Sequence, residues 1–290
     1  MNSRNPLLAQ QIAYNRETAR NWELYADHRA HVTSLLLKII NATKDTNARV
    51  CVLGAGNCND LELSVLVKHC HKLRLIDFDS EALLRGLASQ QLTTSAEDVV
   101  DVPGGACVTF QGGVDLTGIA LDFSCATQKD VPVLIQRALA GPNLDLGGPF
   151  DVVASTTLLT QLISLAVKAL GSSHPSLTDV VLAIRDGHLR LLARLLRPRG
   201  IALLVTDVVS SDTLPELAVV KPEALGGLLD TTLALGNFFT GANPYALVAA
   251  LRRDSVLCKA ATDVSMVGPW RWHVGRRRSY LVVALSFRRI

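Results

Sequence analysis

The sequence lacks any C-x-x-C pair, although it holds six cysteines, at 51, 58, 70, 107, 125 and 258. That pattern fits a reduced, intracellular protein, with Cys51 and Cys107 serving as small hydrophobes inside apolar runs. His69-Cys70-His71 offers ligand atoms, but adjacent helical residues point apart and no second ligand cluster follows, so no metal is expected. There is no apolar run of about 18 residues and no charged-then-apolar leader, which argues against a membrane span and predicts a soluble, cytoplasmic protein. Charge of one sign is scarce too: the formal net charge is only +3. A nucleic-acid partner is therefore disfavoured, and Arg276-Arg277-Arg278 and Arg288-Arg289 read as a solvated hairpin. Internal repeats and low-complexity tracts are absent.

What the 290 residues do hold is core-forming material, with 49% hydrophobic and 19% charged residues. One main α/β domain over 48–290 with a helical cap over 1–47 would use all of it. The organising stretch is Arg49 to Asp60. Val50 to Leu53 form a short apolar run that suits a parallel strand buried on both faces. Gly54 and Gly56 then bend the chain tightly before a helical pattern starting near Asp60. Such a turn admits a ligand where a side chain would clash, and aims free helix N–H groups at it. A nucleotide-like cofactor is the expected occupant.

Before this stretch, residues 6 to 41 read as helix, broken at most once. Tyr14, Thr18, Trp22, Tyr25 and Arg29 share one face by three-and-four spacing. They form either a docking stripe against the sheet or a lid with polar tips. After it, the pattern predicts a helix to about Cys70, strand two over Lys72–Asp77, and a helix from Ser80 to Gln91 with Ser80 as N-cap. Strand three is Ala106–Phe110, following the break at Pro103-Gly104-Gly105; a helix over Asp130–Ala140 and strand four over Phe150–Ser155 come next. Helices over Leu158–Leu170 and Thr178–Leu196 precede strand five, Ile201–Val209. Helices over Pro222–Leu235 and Pro244–Arg252 lead to a hairpin, Val264–Val274 with Ser279–Phe287, joined around Gly275. The order implies a doubly wound, mostly parallel seven-stranded sheet with a C-terminal antiparallel hairpin and an N-terminal helical extension. Ligands are expected at the carboxyl ends of strands one and four.

A glycine turn after strand one with an acid, Asp77, after strand two occurs in NAD(P)-binding dehydrogenases and in class I S-adenosylmethionine (SAM) methyltransferases. Asn59 stands where G-x-G-x-x-G needs glycine, and Cys58 stands where G-x-G-x-G needs it. Cys58 is thus expected to narrow the turn. Leu195-Leu196-Arg197-Pro198-Arg199-Gly200 resembles the methyltransferase L-L-(K/R)-P-G-G turn, with Arg199 in place of a glycine. Phe150-Asp151-Val152-Val153 and the final hairpin are likewise similar to that family from residue 49 onward.

The resemblance implies SAM as cofactor, with S-adenosylhomocysteine (SAH) as product. It implies Gly54, Ala55, Gly56 and Asn57 facing the methionine part and ribose, Asp77 holding the ribose hydroxyls, and Phe78 against the adenine. Asp115 and Leu116 would contact that base, and Ser155 and Thr156 would lie beside the sulfonium, unless they only cap the next helix. Tyr14, Tyr25, Arg29, Gln161, Phe239 and Asn243 are candidates for the acceptor pocket, and Phe238-Phe239 are either a movable wall of it or apolar glue beneath their loop. A general base is optional in methyl transfer; His28, His31 and His188 are candidates. There is no Asn-Pro-Pro-Tyr after strand four and no Pro-Cys dipeptide, which disfavours nucleic-acid bases as acceptors. A small-molecule acceptor is expected. A methyltransferase-like fold that binds a ligand or protein without catalysis, and an NAD(P)-dependent enzyme, remain the alternatives.

Overall fold

The computed structural model describes residues 6–45, 47–92, 99–102, 105–123, 126–274 and 278–290. Its eight strands are β1 (Arg49–Leu53), β2 (Lys72–Ile76), β3 (Val99–Asp101), β4 (Cys107–Gln111), β5 (Phe150–Thr156), β6 (Leu196–Ser210), β7 (Ala261–His273) and β8 (Ser279–Arg289). They form one sheet in the order β3-β4-β2-β1-β5-β6-β8-β7. The pairs from β4 to β6 are parallel, and β3, β8 and β7 are antiparallel to their neighbours. This is the doubly wound sheet with a terminal hairpin that the sequence predicts, plus one edge strand, β3. Three residues of β3 are too few to show a period.

Burial of the central strands on both faces explains their apolar runs. Val50 and Val52 pack into one layer and Cys51 and Leu53 into the other, as the two-residue period of a strand requires. The first layer contains α2 (Ala26–Ala42), α3 (Leu63–Leu66) and α4 (Ser80–Ser89). The second contains α5 (Val131–Ala140), α6 (Leu159–Leu170), α7 (Leu177–Leu195), α8 (Leu225–Ala234) and α9 (Pro244–Arg253). The strand order reverses between β1 and β5, so the connections leave a crevice there at the carboxyl ends.

The N-terminal segment breaks once, as expected, between α1 (Pro6–Thr18) and the short 3-10 turn Glu23–Tyr25 ahead of α2. Val32, Leu36 and Ile40 of α2 are buried in the core, so α2 is a layer helix, and α1 alone lies across the crevice. The helix expected from Asp60 to Cys70 is a single turn, α3. Leu61 and Leu63 are both drawn into the core, and the Gln90 side chain bonds Leu63 N, Cys58 O and Leu61 O, holding this stretch extended. The glycine turn therefore does not lead into a helix N-terminus of useful length. Asp79, not Ser80, caps α4, because its Oδ1 accepts from Ala82 N at 3.1 Å. Pro103, Gly104, Cys125, Arg276, Arg277 and the join at Gly275 lie outside the described residues. Among the described residues no helix is long and apolar enough to cross a membrane.

Candidate functional site

The turn after β1 is fixed by its own backbone. Gly54 and Gly56 have φ of 74° and 48°, and Gly54 N and Ala55 N both donate to Ile76 O at the end of β2, at 2.9 and 3.1 Å. A Cβ on Gly56 would project into open space 3.9 Å from Asn15 Oδ1 and Asp77 Oδ2. Asp77 closes the turn from the other side. Its Oδ2 accepts from Gly56 N and its Oδ1 from Asp79 N, both at 2.8 Å. Burial pushes its pKa up to about 6.

Cys58 does not narrow the turn. Its side chain is fully buried in the core beneath α4, and it lines none of the spaces described below. Helix α4 crosses so close that a Cβ on Gly86 would lie 2.5 Å from Asn57 O and 2.9 Å from Cys58 Sγ. Close helix packing, the usual task of a third glycine, is thus given to Gly86.

Among the spaces that open at the carboxyl ends of the strands, three neighbours lie against α1. The first, about 40 Å³, is bounded by Phe78, Asp115, Leu116, Gly54, Asp77, Leu158 and Gln161 together with Leu8 and Gln11 of α1. The Asp115 carboxylate is turned onto its own loop, accepting from Thr117 N and Oγ1 and from Ala120 N. The second, about 70 Å³, is bounded by Gly54–Asn57, Asn59, Asp60, Asp77, Tyr14, Tyr25, Thr157, Gln161 and Trp272. The third is a chamber of about 570 Å³ whose walls include Tyr14, Thr157, Thr160, Gln161, Asp207, Phe239, Trp272, Arg278 and Tyr280. Tyr14, Thr157, Gln161 and Trp272 belong to both the second and the third spaces.

Helix α1 forms the roof of all three. Asn15 Nδ2 donates to Asp79 Oδ2 at 3.1 Å, Asn57 Nδ2 to Asn15 O at 2.6 Å, Asn59 Nδ2 to Thr18 O at 2.9 Å and Gln11 Nε2 to Gln161 Oε1 at 2.6 Å. These are side-chain contacts to the glycine turn and to α6, so the roof is a latch of polar bonds rather than part of the apolar core.

Two carboxyls face the interior, Asp207 buried and Asp60 mostly so. Asp60 Oδ2 accepts from Thr157 Oγ1 at 3.0 Å, and Asp207 Oδ1 from Thr160 Oγ1 at 2.7 Å. Burial pushes the pKa of each up to about 6, and in Asp60 the proximity of Asp207 adds to the shift. Tyr14 rises to about 12, chiefly by burial, with Tyr280, Asp207 and Asp60 contributing.

Several expected site residues point elsewhere. Ser155 is fully buried and its Oγ meets His188 Nε2 at 2.8 Å, on the α7 side of the sheet. Neither Ser155 nor Thr156 lines the crevice or caps α6; Thr157, with φ of 50°, turns the chain so that it and Leu158 do. His188 is held neutral by burial, its pKa lowered to about 4, with no route to the chambers. His28 is pinned between hairpin residues: its ring stacks on Trp272 at 4.3 Å and its Nδ1 accepts from Trp270 Nε1 at 3.1 Å. Burial lowers its pKa to about 3, so its 3.9 Å approach to Asp60 is not an ion pair. His31 packs on Trp270 with its pKa also lowered by burial. Arg29 is a brace, not a pocket residue, because its guanidinium bonds Glu62, Trp22 O and Asn59 O and lies 3.4 Å over the Trp22 ring. Asn243 caps α9, accepting from Tyr245 N and Ala246 N.

The residues that sequence reasoning missed are Thr157, Asp60, Asp207, Trp272, Tyr280, Gln11 and Asn15. Asp207 alone carried a local signal, a carboxylate inside an apolar strand. Among the described residues no group of three or more His, Cys, Asp or Glu is placed to hold a metal ion.

No protein-family model matches the chain, and no curated protein matches it. Solved structures do. The N-methyltransferase NodS from Bradyrhizobium japonicum WM9 is similar at 11% identity and a TM-score of 0.45, over 92% of this chain and 97% of that one. The magnesium protoporphyrin IX methyltransferase ChlM from Synechocystis PCC 6803, solved with bound SAH, is similar at 16% identity and a TM-score of 0.46, over 92% and 85%. A SAM-dependent methyltransferase from Methanosarcina mazei gives 11% identity and a TM-score of 0.44, over 87% and 96%. At TM-scores below 0.5 these are likenesses in the course of the chain alone.

Proposed function

We propose that this chain is a SAM-dependent methyltransferase that acts on a small molecule. The observation that carries this reading is the shared wall. A small space built on a glycine turn and a buried acid meets a chamber of about 570 Å³ through Tyr14, Thr157, Gln161 and Trp272, so a donor on one side and an acceptor on the other would abut. The chamber falls within the roughly 300–1,000 Å³ usual for small-molecule sites.

The donor groups present suit SAM. Gly56, lacking a Cβ, leaves room beside Asp77, whose oxygens each keep a lone pair for ribose hydroxyls. Phe78 and Leu116 supply apolar walls for a base in the adjoining space. When bound, SAM supplies a methyl group already activated on a sulfonium. The chain's task is then mainly alignment of acceptor, methyl and sulfur.

Calorimetric titration with SAH, SAM and NADH tests the reading. Micromolar binding of the first two, about −8 kcal/mol, is expected, with NADH much weaker. Asp77→Asn keeps the shape but removes the charge, and is expected to weaken SAH binding about ten-fold, the loss of a charge-assisted hydrogen bond. A preference for NADH, or no binding of SAH after α1 is unlatched, sinks the proposal.

A further inference from the structure

The methyl-transfer reading leaves the acceptor's chemistry open; the inference here rests on that reading and names the class. Of the four charged residues that line the large chamber, Glu17, Lys168 and Arg278 are exposed and Asp207 alone is buried. Asp207 is 8% exposed, and one of its oxygens accepts from Thr160, while no other side chain among the described residues donates to the carboxylate. Asp60 stands at the adjoining wall. No lysine or arginine forms an ion pair with either among the described residues. Arg278 and Lys168 line the chamber, but Arg278 is paired with Asp212 and Lys168 is exposed, and Arg29 is paired with Glu62.

Around these carboxyls stand aromatic rings. Tyr280 lies 5.5 Å from Trp272 and 6.0 Å from Phe239 between ring centroids, and Tyr14 faces them from α1. Ring faces attract cations, and a buried carboxylate without a counter-charge is costly until a cation arrives. An anionic acceptor would meet two carboxyls, and a neutral one would gain little from them.

We propose that the acceptor is a cationic amine whose ammonium group docks on Asp207 among the rings of Tyr14, Phe239, Trp272 and Tyr280, and whose nitrogen receives the methyl group. An ammonium has no lone pair, so one proton must leave before attack. Asp207 Oδ2 takes that proton. The freed lone pair forms the N–C bond as the C–S bond breaks, its electrons staying on sulfur as a neutral thioether. The product is the methylated ammonium, and the Asp207 proton passes to solvent through the chamber mouth. The titratable groups facing Asp207 are Tyr14 from α1, Asp60 from the glycine turn and Tyr280 from β8, none of them a cation.

The test is calorimetric titration of the full chain, with and without saturating SAH, using benzylamine, benzyl alcohol and benzoate. These share a ring and differ in charge. Benzylammonium is expected to bind at least about ten-fold more tightly than the alcohol, a difference of about 1.4 kcal/mol, with no saturation by benzoate. Asp207→Asn is expected to remove that advantage. Equal binding of amine and alcohol, tighter binding of benzoate, or no saturable binding of the amine overturns the proposal. The wild-type comparison stands even if the variant folds poorly. SAH affinity is read separately in the same experiment, so failure of the cofactor reading shows as lost SAH binding and not as a changed order among the three probes.

Discussion

Cys58 and Arg199 stand where the methyltransferase pattern has glycine, and both have left-handed backbone, with φ of 54° and 67°. The conformation glycine would favour is kept without glycine, at a cost of about 1–2 kcal/mol per residue. For Cys58, burial of the thiol under α4 offsets part of that cost. Asp207 carries a different burden. Because burial raises its pKa to about 6 while an unfolded aspartate titrates near 4, the folded chain holds more protons between those values. Its contribution to stability is therefore present at low pH and is lost as pH rises through 6. Asp207→Asn should be close to wild type at pH 4 and more stable above pH 6 by roughly 2–3 kcal/mol, as read from urea unfolding of the protein without ligand. The buried histidines oppose this trend but are common to both proteins. A difference that does not change with pH would place Asp207 in solvent.

Helix α1 is the element on which access depends. Spaces of about 40 and 70 Å³ are far below what SAM needs, and the side chains that divide and cover them, Leu8, Gln11 and Asn15, come from α1. The latch must lift for a cofactor to enter. Asn15→Asp would set a carboxylate against the buried Asp79, whose neighbour Arg85, 3.5 Å away, already serves two acids, Asp79 and Glu81. Faster trypsin cleavage after Arg20 and a faster SAH association rate are expected together. If neither rate moves, α1 is not the gate. The latch also shows why the Tyr14-to-Arg29 stripe was only half legible. Its spacing was helical, but the break between α1 and α2 turned Tyr14 to the chambers and Arg29 to Glu62.

At the scale of the whole molecule, the sheet was readable because strands buried on both faces must be short apolar runs between turns, as Val50–Leu53 and Val152–Ala154 are. The glycine turn was readable because positive φ favours glycine. The large chamber was not, since its walls Tyr14 and Tyr280 are brought together only when the hairpin packs on α2, as the His28–Trp270 bond across 242 positions shows. Nor could the end of the strand be read: Ser155 faces α7, and the residue that faces the crevice is Thr157, two positions on, where the chain turns.

The placement of β8 has a consequence for how the chain must be made. It follows β7 in sequence yet lies inside it, between β6 and β7. Until residues 279–289 are in place, β6 offers a bare edge whose stretch from Ile201 to Ser210 is wholly buried in the finished protein. Such an edge invites pairing with another chain. A chain stopped before Ser279 is expected in the insoluble fraction after expression, and its recovery as a soluble monomer would contradict that. Supplying residues 279–289 as a separate peptide during synthesis should then restore solubility, because what the nascent protein lacks is a strand partner for β6.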